Sequence, residues 1–317
     1  MNAENFADWL RRQGHHIYQT VSSYWYDAGP RVLEAFPYHW LIQPDAHELR
    51  ELILRNNILA LRYSTPLEIE EGMASYHVVL DDPNYCLEKL RAQARNGVRR
   101  GLEKCRVEKI SFEMLADEGW KLQQDTLERQ HRLKSMNQYE WQKICLSAND
   151  LPGFEAWGAI VDGSLAASLL TCRIDDKYYV PYAQSRTDFL GLHVNNALFY
   201  TVSCELLSRL GTSGIFFCLH SLDASESVDE FKFRMGFTPK PVRQRIAFHP
   251  ILKPFTTSEI HKVISSRLQK DPNNVFLAKM EGLMRFYLHG KIPLDAQEWP
   301  TCLADYKEKY ISSTIDA

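Results

Sequence analysis

The chain of 317 residues carries 37 Lys and Arg against 40 Asp and Glu, a net charge of −3, with 45% hydrophobic and 24% charged residues. This composition excludes disordered, collagenous and coiled-coil proteins, and the length predicts about two domains or one domain with large additions. The apolar runs are too short for a membrane span, and the polar segment 1–12 lacks the apolar stretch of a signal peptide. We therefore expect a cytoplasmic protein without stable membrane insertion.

The cysteines and histidines argue against a metal centre. The seven cysteines are widely spaced and form no C-x-x-C, and the eleven histidines form no H-E-x-x-H. An odd number of scattered cysteines is typical of reduced thiols rather than of a disulfide framework or a zinc site. We expect no metal.

The first 82 residues mix short helices and strands. Apolar residues at helical spacing indicate helices, and runs of β-branched and aromatic residues indicate strands. They predict helices over 4–12 and 44–56, and strands over 17–25, 58–63 and 75–80.

A basic segment is concealed by the neutral total charge. Residues 45–88 hold nine acidic and three basic residues, whereas 89–109 hold eight basic and two acidic ones. The apolar spacing and the Asp-Pro start predict a helix over about 83–104. Its cationic stripe consists of Arg91, Arg95, Arg99 and Arg100. Such a stripe is either a solvated helix face or a contact to phosphates of a cofactor or RNA.

The region 107–250 alternates strands and helices, as α/β proteins do. The predicted order is one strand, two helices, three strands in a meander, a helix from Val194, the buried strand IFFCL (215–219), a short helix over 227–235 and a last strand over 242–248. Two further helices are predicted near 257–269 and 274–288.

Three nucleotide and hydrolase signatures are absent from the sequence. It contains no G-x-G-x-x-G, no G-x-x-x-x-G-K-S/T and no G-x-S-x-G. A Rossmann dehydrogenase, a P-loop NTPase and an α/β-hydrolase are therefore disfavoured.

The order of elements over 107–250 resembles the GNAT acyltransferase fold. The run FKFRMGF (231–237) resembles the K-x-x-x-G-F ending of the last GNAT helix, especially in FemAB-like proteins. The basic helix is similar to the segment that enters their second domain, and Ile17–Trp25 to the opening of their first. The resemblance implies an α/β fold with a mixed sheet flanked by helices. The implied division is a reduced N-terminal GNAT-like part (1–82), a basic linker helix (83–106), a GNAT domain (107–250) and a helical C-terminal extension (251–317).

The resemblance implies an N-acyltransferase that moves an acyl or aminoacyl group from acyl-CoA or aminoacyl-tRNA to an amine. GNAT enzymes hold the donor's pyrophosphate at a helix N-terminus. The corresponding donor-binding residues here are Gln184, Arg186, Gly191, Leu192, Val194, Asn195 and Asn196. The family's loop is richer in glycine, and only Gly191 is present, a departure that FemAB-like proteins share. In this light the arginine stripe suits a phosphate-rich donor.

Four residues are candidates for chemistry. His220 and Asp223 follow the buried strand, where catalytic groups of open α/β sheets collect, and His220 is the candidate base. The alternative for His220 is a local hydrogen bond that ends the strand. Lys232 stands where the family often has a general-acid tyrosine; it is either a proton donor or phosphate ligand, or a surface lysine. Tyr182 is a candidate substrate contact.

Two other interpretations remain open at this point. An acyl-carrier protein could serve as donor and dock by its acidic surface on the arginine stripe. Alternatively, the missing glycines and the lysine at the tyrosine position permit a non-catalytic GNAT-fold binding protein. The acceptor could be a peptidoglycan precursor, a polysaccharide amine, a free amino acid or a peptide.

Overall fold

The computed structural model describes residues 3–130, 136–222 and 229–315. The helices are α1 (Ala3–Gln13), α2 (Ala46–Arg55), α3 (Ala92–Lys104), α4 (Phe112–Asp117), α5 (Gly119–Arg129), α6 (Gln138–Leu146), α7 (Val194–Leu207), α8 (Glu230–Arg234), α9 (Ser258–Lys270), α10 (Val275–His289) and α11 (Ala304–Ile315). The strands are β1 (Ile17–Gln19), β2 (Tyr24–Gly29), β3 (Val32–Phe36), β4 (Ala60–Thr65), β5 (Met73–Leu80), β6 (Arg106–Ile110), β7 (Phe154–Val161), β8 (Ser164–Ile174), β9 (Lys177–Ser185), β10 (Gly214–Leu219) and β11 (Thr238–Phe248). The mixed α/β architecture predicted from the sequence is confirmed.

The chain forms two compact units, each assembled from separate segments. The first unit comprises 1–14, 78–218 and 229–238; the second comprises 15–77, 219–228 and 239–317. The helix α1 thus belongs to the same unit as β6–β9, although the strands that follow it in sequence belong to the other.

In the first unit the strands lie in the order β6-β7-β8-β9-β10. The first four are antiparallel neighbours, and β10 is parallel to β9. The sheet has a helix layer on each face. On one face the Tyr182 ring of β9 packs against Trp9 of α1 and Trp141 of α6. On the other face Asn195 of α7 donates a hydrogen bond to the Ser185 hydroxyl of β9. The buried aromatic side chains between α1, α6 and the sheet supply much of its apolar core.

The second unit contains the order β1-β2-β3-β4-β11. The pair β3–β4 is parallel, and its other pairs are antiparallel. The helix α2 buries Leu49, Leu52 and Ile53 in a core with Trp25 and Leu61. Phe286 of α10 packs in a second cluster with Met73 and Ile246, so the C-terminal extension is part of this unit's core.

The basic helix is shorter than the sequence suggests. It begins at Ala92, and the preceding segment has only a 3₁₀ turn over Leu87–Lys89. The carboxylate of Asp82 accepts the N–H of Asn84, and Leu90 is extended (ψ 144°), which prevents the helical hydrogen bonds from continuing back to 83. Within the described segments, no helix is both long and apolar enough to cross a membrane.

Candidate active site

The parallel strands β9 and β10 separate after a short pairing. Their ladder covers Gly214–Lys177, Ile215–Tyr178 and Phe216–Tyr179, while β9 continues to Ser185. Pro181, two residues after Tyr179, has no N–H to donate, and the β8–β9 register shifts between Tyr179 and Tyr182. The second half of β9 therefore has an edge that β10 does not cover.

The hydrogen-bond alternation shows which main-chain groups lie on this edge. The N–H of Arg186 donates to the carbonyl of Ala166 (3.0 Å), next to the pair Ala167–Ser185, so even-numbered residues bond to β8. The main-chain groups of Ala183 and Ser185 consequently point away from β8. The main-chain N–H of Ser185 donates to the Thr126 hydroxyl oxygen (3.2 Å). Ala183 thus offers a donor and an acceptor to an extended amide chain added along β9.

The helix α7 begins beside the end of β9 with an uncapped N-terminus. A 3₁₀ turn over 187–192 leads to His193 in the left-handed region (φ 57°), and the side chain of His193, the N-cap residue, makes no capping hydrogen bond. The N–H groups of Val194, Asn195 and Asn196 precede the first intrahelical donor. Such a first turn attracts anions through its free N–H groups and the helix dipole.

Gly191 is not required by the backbone here. A Cβ at this position meets no atom within 4 Å, and the residue with positive φ in this loop is His193. Leu192 is half-buried. The loop therefore differs from a glycine-rich phosphate loop in geometry as well as in sequence.

A polar cluster joins the end of β9 to α7. Arg129 donates to the Thr187 hydroxyl (2.9 Å) and to Ser185 Oγ (3.2 Å), and Asn195 Nδ2 donates to the same Ser185 Oγ (3.1 Å). The guanidinium of Arg186 pairs with Asp188 at 2.8 Å. Sequence reasoning missed Arg129, because its position depends on how α5 packs on the sheet.

The basic helix α3 lies directly against α7. A Cβ on Gly101 would be 2.5 Å from the carbonyl oxygen of His193, and one on Gly97 would be 3.0 Å from the Asn196 side chain. Only glycine permits this approach at Gly101. The G-x-x-x-G spacing of Gly97 and Gly101 is visible in the sequence, but it does not indicate which helix packs against it.

The arginine stripe of α3 keeps three of its guanidinium groups accessible. Arg91, Arg99 and Arg100 are exposed, whereas Arg95 is half-buried and donates to the Glu88 carbonyl (3.4 Å). Because Gly101 touches the start of α7, the neighbouring Arg100 lies at the end of α3 that adjoins the first turn of α7.

Lys232 is not a surface lysine. Its side chain is 14% exposed, its Nζ lies 2.5 Å from Asp229 Oδ1, and it stands 4.5 Å over the Phe217 ring. Nζ also donates to Cys218 Sγ at 3.5 Å. Burial raises the pKa of Cys218 to about 12. The result is an ion pair between half-buried Lys232 and buried Asp229, beside the Cys218 thiol on β10.

The run FKFRMGF has a structural reason for its glycine. Gly236 has φ 93°, a Cβ there would be 2.9 Å from the Tyr85 ring, and the N–H of Phe237 returns to the Lys232 carbonyl (3.1 Å). Phe231 packs edge-on against Phe199 of α7 at 5.1 Å. The motif therefore closes α8 and holds Lys232 in place.

Tyr182 and Gln184 point to the sheet face opposite α7. The Tyr182 ring lies between Trp9 and Trp141, and burial raises its pKa to about 12. Gln184 is 3% exposed, and its Oε1 accepts the Ser168 hydroxyl at 3.0 Å. Within the described residues its Nε2 has no hydrogen-bond partner.

His220 lies in the second unit and is packed between aromatic rings. It stacks on Tyr76 (4.5 Å between centroids) and contacts Phe286 (5.8 Å). Its Nδ1 is 3.3 Å from Ser75 Oγ, and its carbonyl accepts Arg62 Nη2 at 2.8 Å. Asp223 lies outside the described residues. In the ranges that the structure describes, no three His, Cys, Asp or Glu side chains cluster as metal ligands do.

Comparison with known proteins gives structural likeness only. No family model matches the sequence, and a search of curated proteins finds no match. Among solved structures, FemX is similar with a TM-score of 0.55 at 11% identity, covering 78% of this chain and 92% of that one. A protein of unknown function from Bacteroides thetaiotaomicron is similar with a TM-score of 0.50 at 12% identity, covering 76% and 88%. The resemblance to FemAB-like proteins is thereby confirmed at the level of the fold: the chain has a fold similar to that of FemX.

Proposed function

We propose that the protein is an N-acyltransferase that moves an acyl or aminoacyl group from an activated donor to an amine. One observation carries the proposal: the separation of β9 from β10 opens a strand edge directly beside the uncapped start of α7. An extended, amide-bearing donor arm ending in a phosphate fits both features, since the edge pairs with amides and the helix start with anions.

The donor would be held by main-chain groups and by cations around them. The arm lies along Ala183, and the phosphate at the N–H groups of Val194, Asn195 and Asn196, with Arg186, Gly191 and Leu192 in the preceding loop. The stripe of Arg91, Arg95, Arg99 and Arg100 adds positive charge beside α7, which favours a phosphate-rich donor such as acyl-CoA or aminoacyl-tRNA.

The chemistry requires two proton movements. The acceptor amine must lose a proton to attack the donor carbonyl, and the leaving thiolate or ribose oxygen must gain one. We assign the second proton to the Lys232 ammonium, which Asp229 holds in a buried position. For the first proton the sequence predicts His220 as the base.

Donor classes can be separated by binding. Thermal unfolding is followed with acyl-CoA species, aminoacyl-tRNA and an acyl-loaded carrier protein in parallel. A ligand that binds the folded state raises the melting temperature as its concentration exceeds its Kd. Stabilisation by one class identifies the donor, and no shift with any of the three would leave only the non-catalytic interpretation.

The proton roles are tested by substitutions that preserve charge or shape. Lys232→Arg keeps the ion pair with Asp229 but gives up a proton far less readily, so turnover should fall roughly 10²-fold with folding intact. His220→Gln should lower turnover by roughly 10²–10⁴-fold if the imidazole is the base. Unchanged rates would remove the respective residue from its role.

An acyl-carrier protein is a second donor candidate because Arg99 and Arg100 are exposed on α3 and Arg91 is exposed at its N-cap. Docking of an acidic partner on this stripe would weaken strongly with added salt. Salt-independent transfer would argue against this donor.

A further inference from the structure

The helix α9 is an outer layer of the second unit. Of its thirteen residues only Ile264 is buried. On the same side of the helix, His261 Nε2 lies 3.0 Å from a carboxylate oxygen of Glu281 on α10. The partner helix α10 instead buries Met284 and Phe286. The helix α9 is therefore held along one side by α10, and most of its surface faces solvent.

The solvent face of α9 combines apolar and basic side chains. Ile260, Val263, Arg267 and Lys270 follow one another at intervals of three or four residues, so they lie along one face of the helix. Ile260 and Val263 are 39% and 53% exposed, and the two cations are exposed as well. These four side chains form a stripe of about 15 Å, apolar in its first half and cationic in its second.

The segments on either side of α9 have the same character. Phe255, at the end of the 3₁₀ turn that precedes α9, is 60% exposed and follows the exposed Lys253. Phe276, in the first turn of α10, is 64% exposed, and the exposed Lys279 lies one turn further on. Among the described residues, these are the two exposed phenylalanines. Single exposed apolar residues need no explanation, but a group of them in one helical hairpin indicates an interaction surface.

The charge of this hairpin is opposite to that of the whole chain. Residues 250–279 contain five Lys and Arg against two Asp and Glu, in a chain with a net charge of −3. All five cations are exposed. The two carboxylates have local roles, since Asp271 accepts a hydrogen bond from Asn274 Nδ2 (3.0 Å) and Glu259 lies in the first turn of α9, where the helix dipole favours it. The surface therefore selects an anionic partner.

The partner must accept apolar side chains and cations together. At the surface of an anionic bilayer, apolar side chains enter the boundary between headgroups and acyl chains while Lys and Arg reach the phosphates. A nucleic acid would bind the cations but offer little to Ile260 and Val263. We propose that α9 and the start of α10 dock on the surface of an anionic phospholipid bilayer without spanning it. This inference goes beyond the proposed function, because docking does not depend on acyl transfer.

Vesicle binding of the full chain tests the proposal. The protein is sedimented with phosphatidylcholine vesicles and with vesicles that also contain about 30 mol% phosphatidylglycerol. We expect binding to the anionic vesicles to be at least tenfold tighter, and to weaken as salt is raised. Hydrogen exchange followed by mass spectrometry should show protection by anionic vesicles within 251–280 and not across the first unit.

The apolar contribution is tested with two matched double variants. Val263→Ser with Phe276→Ser removes two exposed apolar side chains and should weaken binding to anionic vesicles roughly tenfold or more. Tyr139→Ser with Leu146→Ser, at positions of α6 that are 72% and 46% exposed, is the control and should not change binding. Melting temperatures of both variants should stay close to that of the unaltered protein, which shows that the fold is kept.

The cationic contribution needs a control of equal charge. Arg267→Gln with Lys270→Gln should weaken binding to anionic vesicles about tenfold. Lys104→Gln with Lys121→Gln removes the same charge from exposed positions of the first unit and should change binding less than twofold. Equal losses in the two variants would overturn the proposal, because binding would then follow net charge alone.

Three further outcomes would contradict the proposal. They are no sedimentation of the unaltered protein with anionic vesicles, equal binding to vesicles of phosphatidylcholine alone, and protection from hydrogen exchange outside 251–280 only. If vesicles do not bind but a single-stranded RNA does, and Arg267→Gln with Lys270→Gln weakens that binding, the surface belongs to nucleic acid and the bilayer is excluded.

Discussion

Two polar regions of the molecule are built on opposite principles. Around β9 and α7, polar groups are left open: the start of α7 has no side-chain cap, Ala183 faces an edge that β10 leaves, and Gln184 Nε2 has no partner in the described chain. In the second unit a network of paired polar side chains crosses β3, β4 and β11. Arg62 alone bonds Glu34, Gln244 and the main chain of His220.

The paired polar groups of the second unit stabilise its fold, whereas the unpaired polar groups around β9 and α7 are available to a ligand. Buried polar groups normally have partners, because each missing bond costs free energy. A region where several are missing at once is suited to bind something that supplies the bonds. The closed region fixes the segment that carries His220, whereas the open region is where we place the donor.

The largest expected effect tests the closed region. Arg62 and Glu34 are 13% and 12% exposed, so Arg62→Met should leave a buried carboxylate without its cation and cost about 3–5 kcal/mol of unfolding free energy. Urea denaturation measures it. Arg11→Met, which breaks an exposed pair with Glu4, is the control and should cost about 0–1 kcal/mol. Equal losses would contradict the comparison.

The second prediction uses His77, which is buried and bonded to Ser64 Oγ at 2.9 Å. Burial lowers the pKa of His77 to about 3, while in the unfolded chain it is about 6.5. Between these values the unfolded chain binds a proton that the folded protein does not. The free energy of unfolding should therefore fall on acidification, by about 1 kcal/mol per pH unit below pH 6.5.

The control for this titration is His77→Gln, which keeps a neutral polar group beside Ser64. Its unfolding free energy should be flatter than that of the unaltered protein between about pH 7 and about pH 4. Parallel curves for the two proteins would show that another group carries the acid sensitivity.

The contrast between the regions also marks what the sequence could reveal. The start of α7 at Val194 and the motif from Lys232 to Gly236 depend on local spacing, and the structure has them where the pattern placed them. The predicted order of elements is incomplete, since β3, α4 and α11 were not predicted. The unpaired Gln184 amide and the contacts of Arg129 depend on strand register and helix packing. No local pattern encodes those, because they join residues more than fifteen positions apart.

The third prediction tests the contact that positions the start of α7. In Gly101→Ala the new Cβ would lie 2.5 Å from the His193 carbonyl, so α3 and α7 must move apart. We expect a loss of about 1–3 kcal/mol in stability, and weaker donor binding. Gly191→Ala is the matched control: its Cβ meets nothing within 4 Å, so stability should stay within about 0.5 kcal/mol. Unchanged donor affinity in Gly101→Ala would show that the contact between α3 and α7 does not position the donor site.

The smallest expected effect concerns charge beside the open region. Arg100 is exposed and adjoins Gly101, which touches the start of α7. If Arg100 contacts a donor phosphate, Arg100→Gln should weaken donor binding by roughly fivefold and reduce the slope of log affinity against log salt by about 1. Lys121→Gln on α5, an equal change of charge at another exposed position of the same unit, should alter neither. Long-range attraction depends on net charge, whereas a phosphate contact depends on the position of the cation. Equal effects of the two variants would therefore show that Arg100 acts only through general electrostatic attraction.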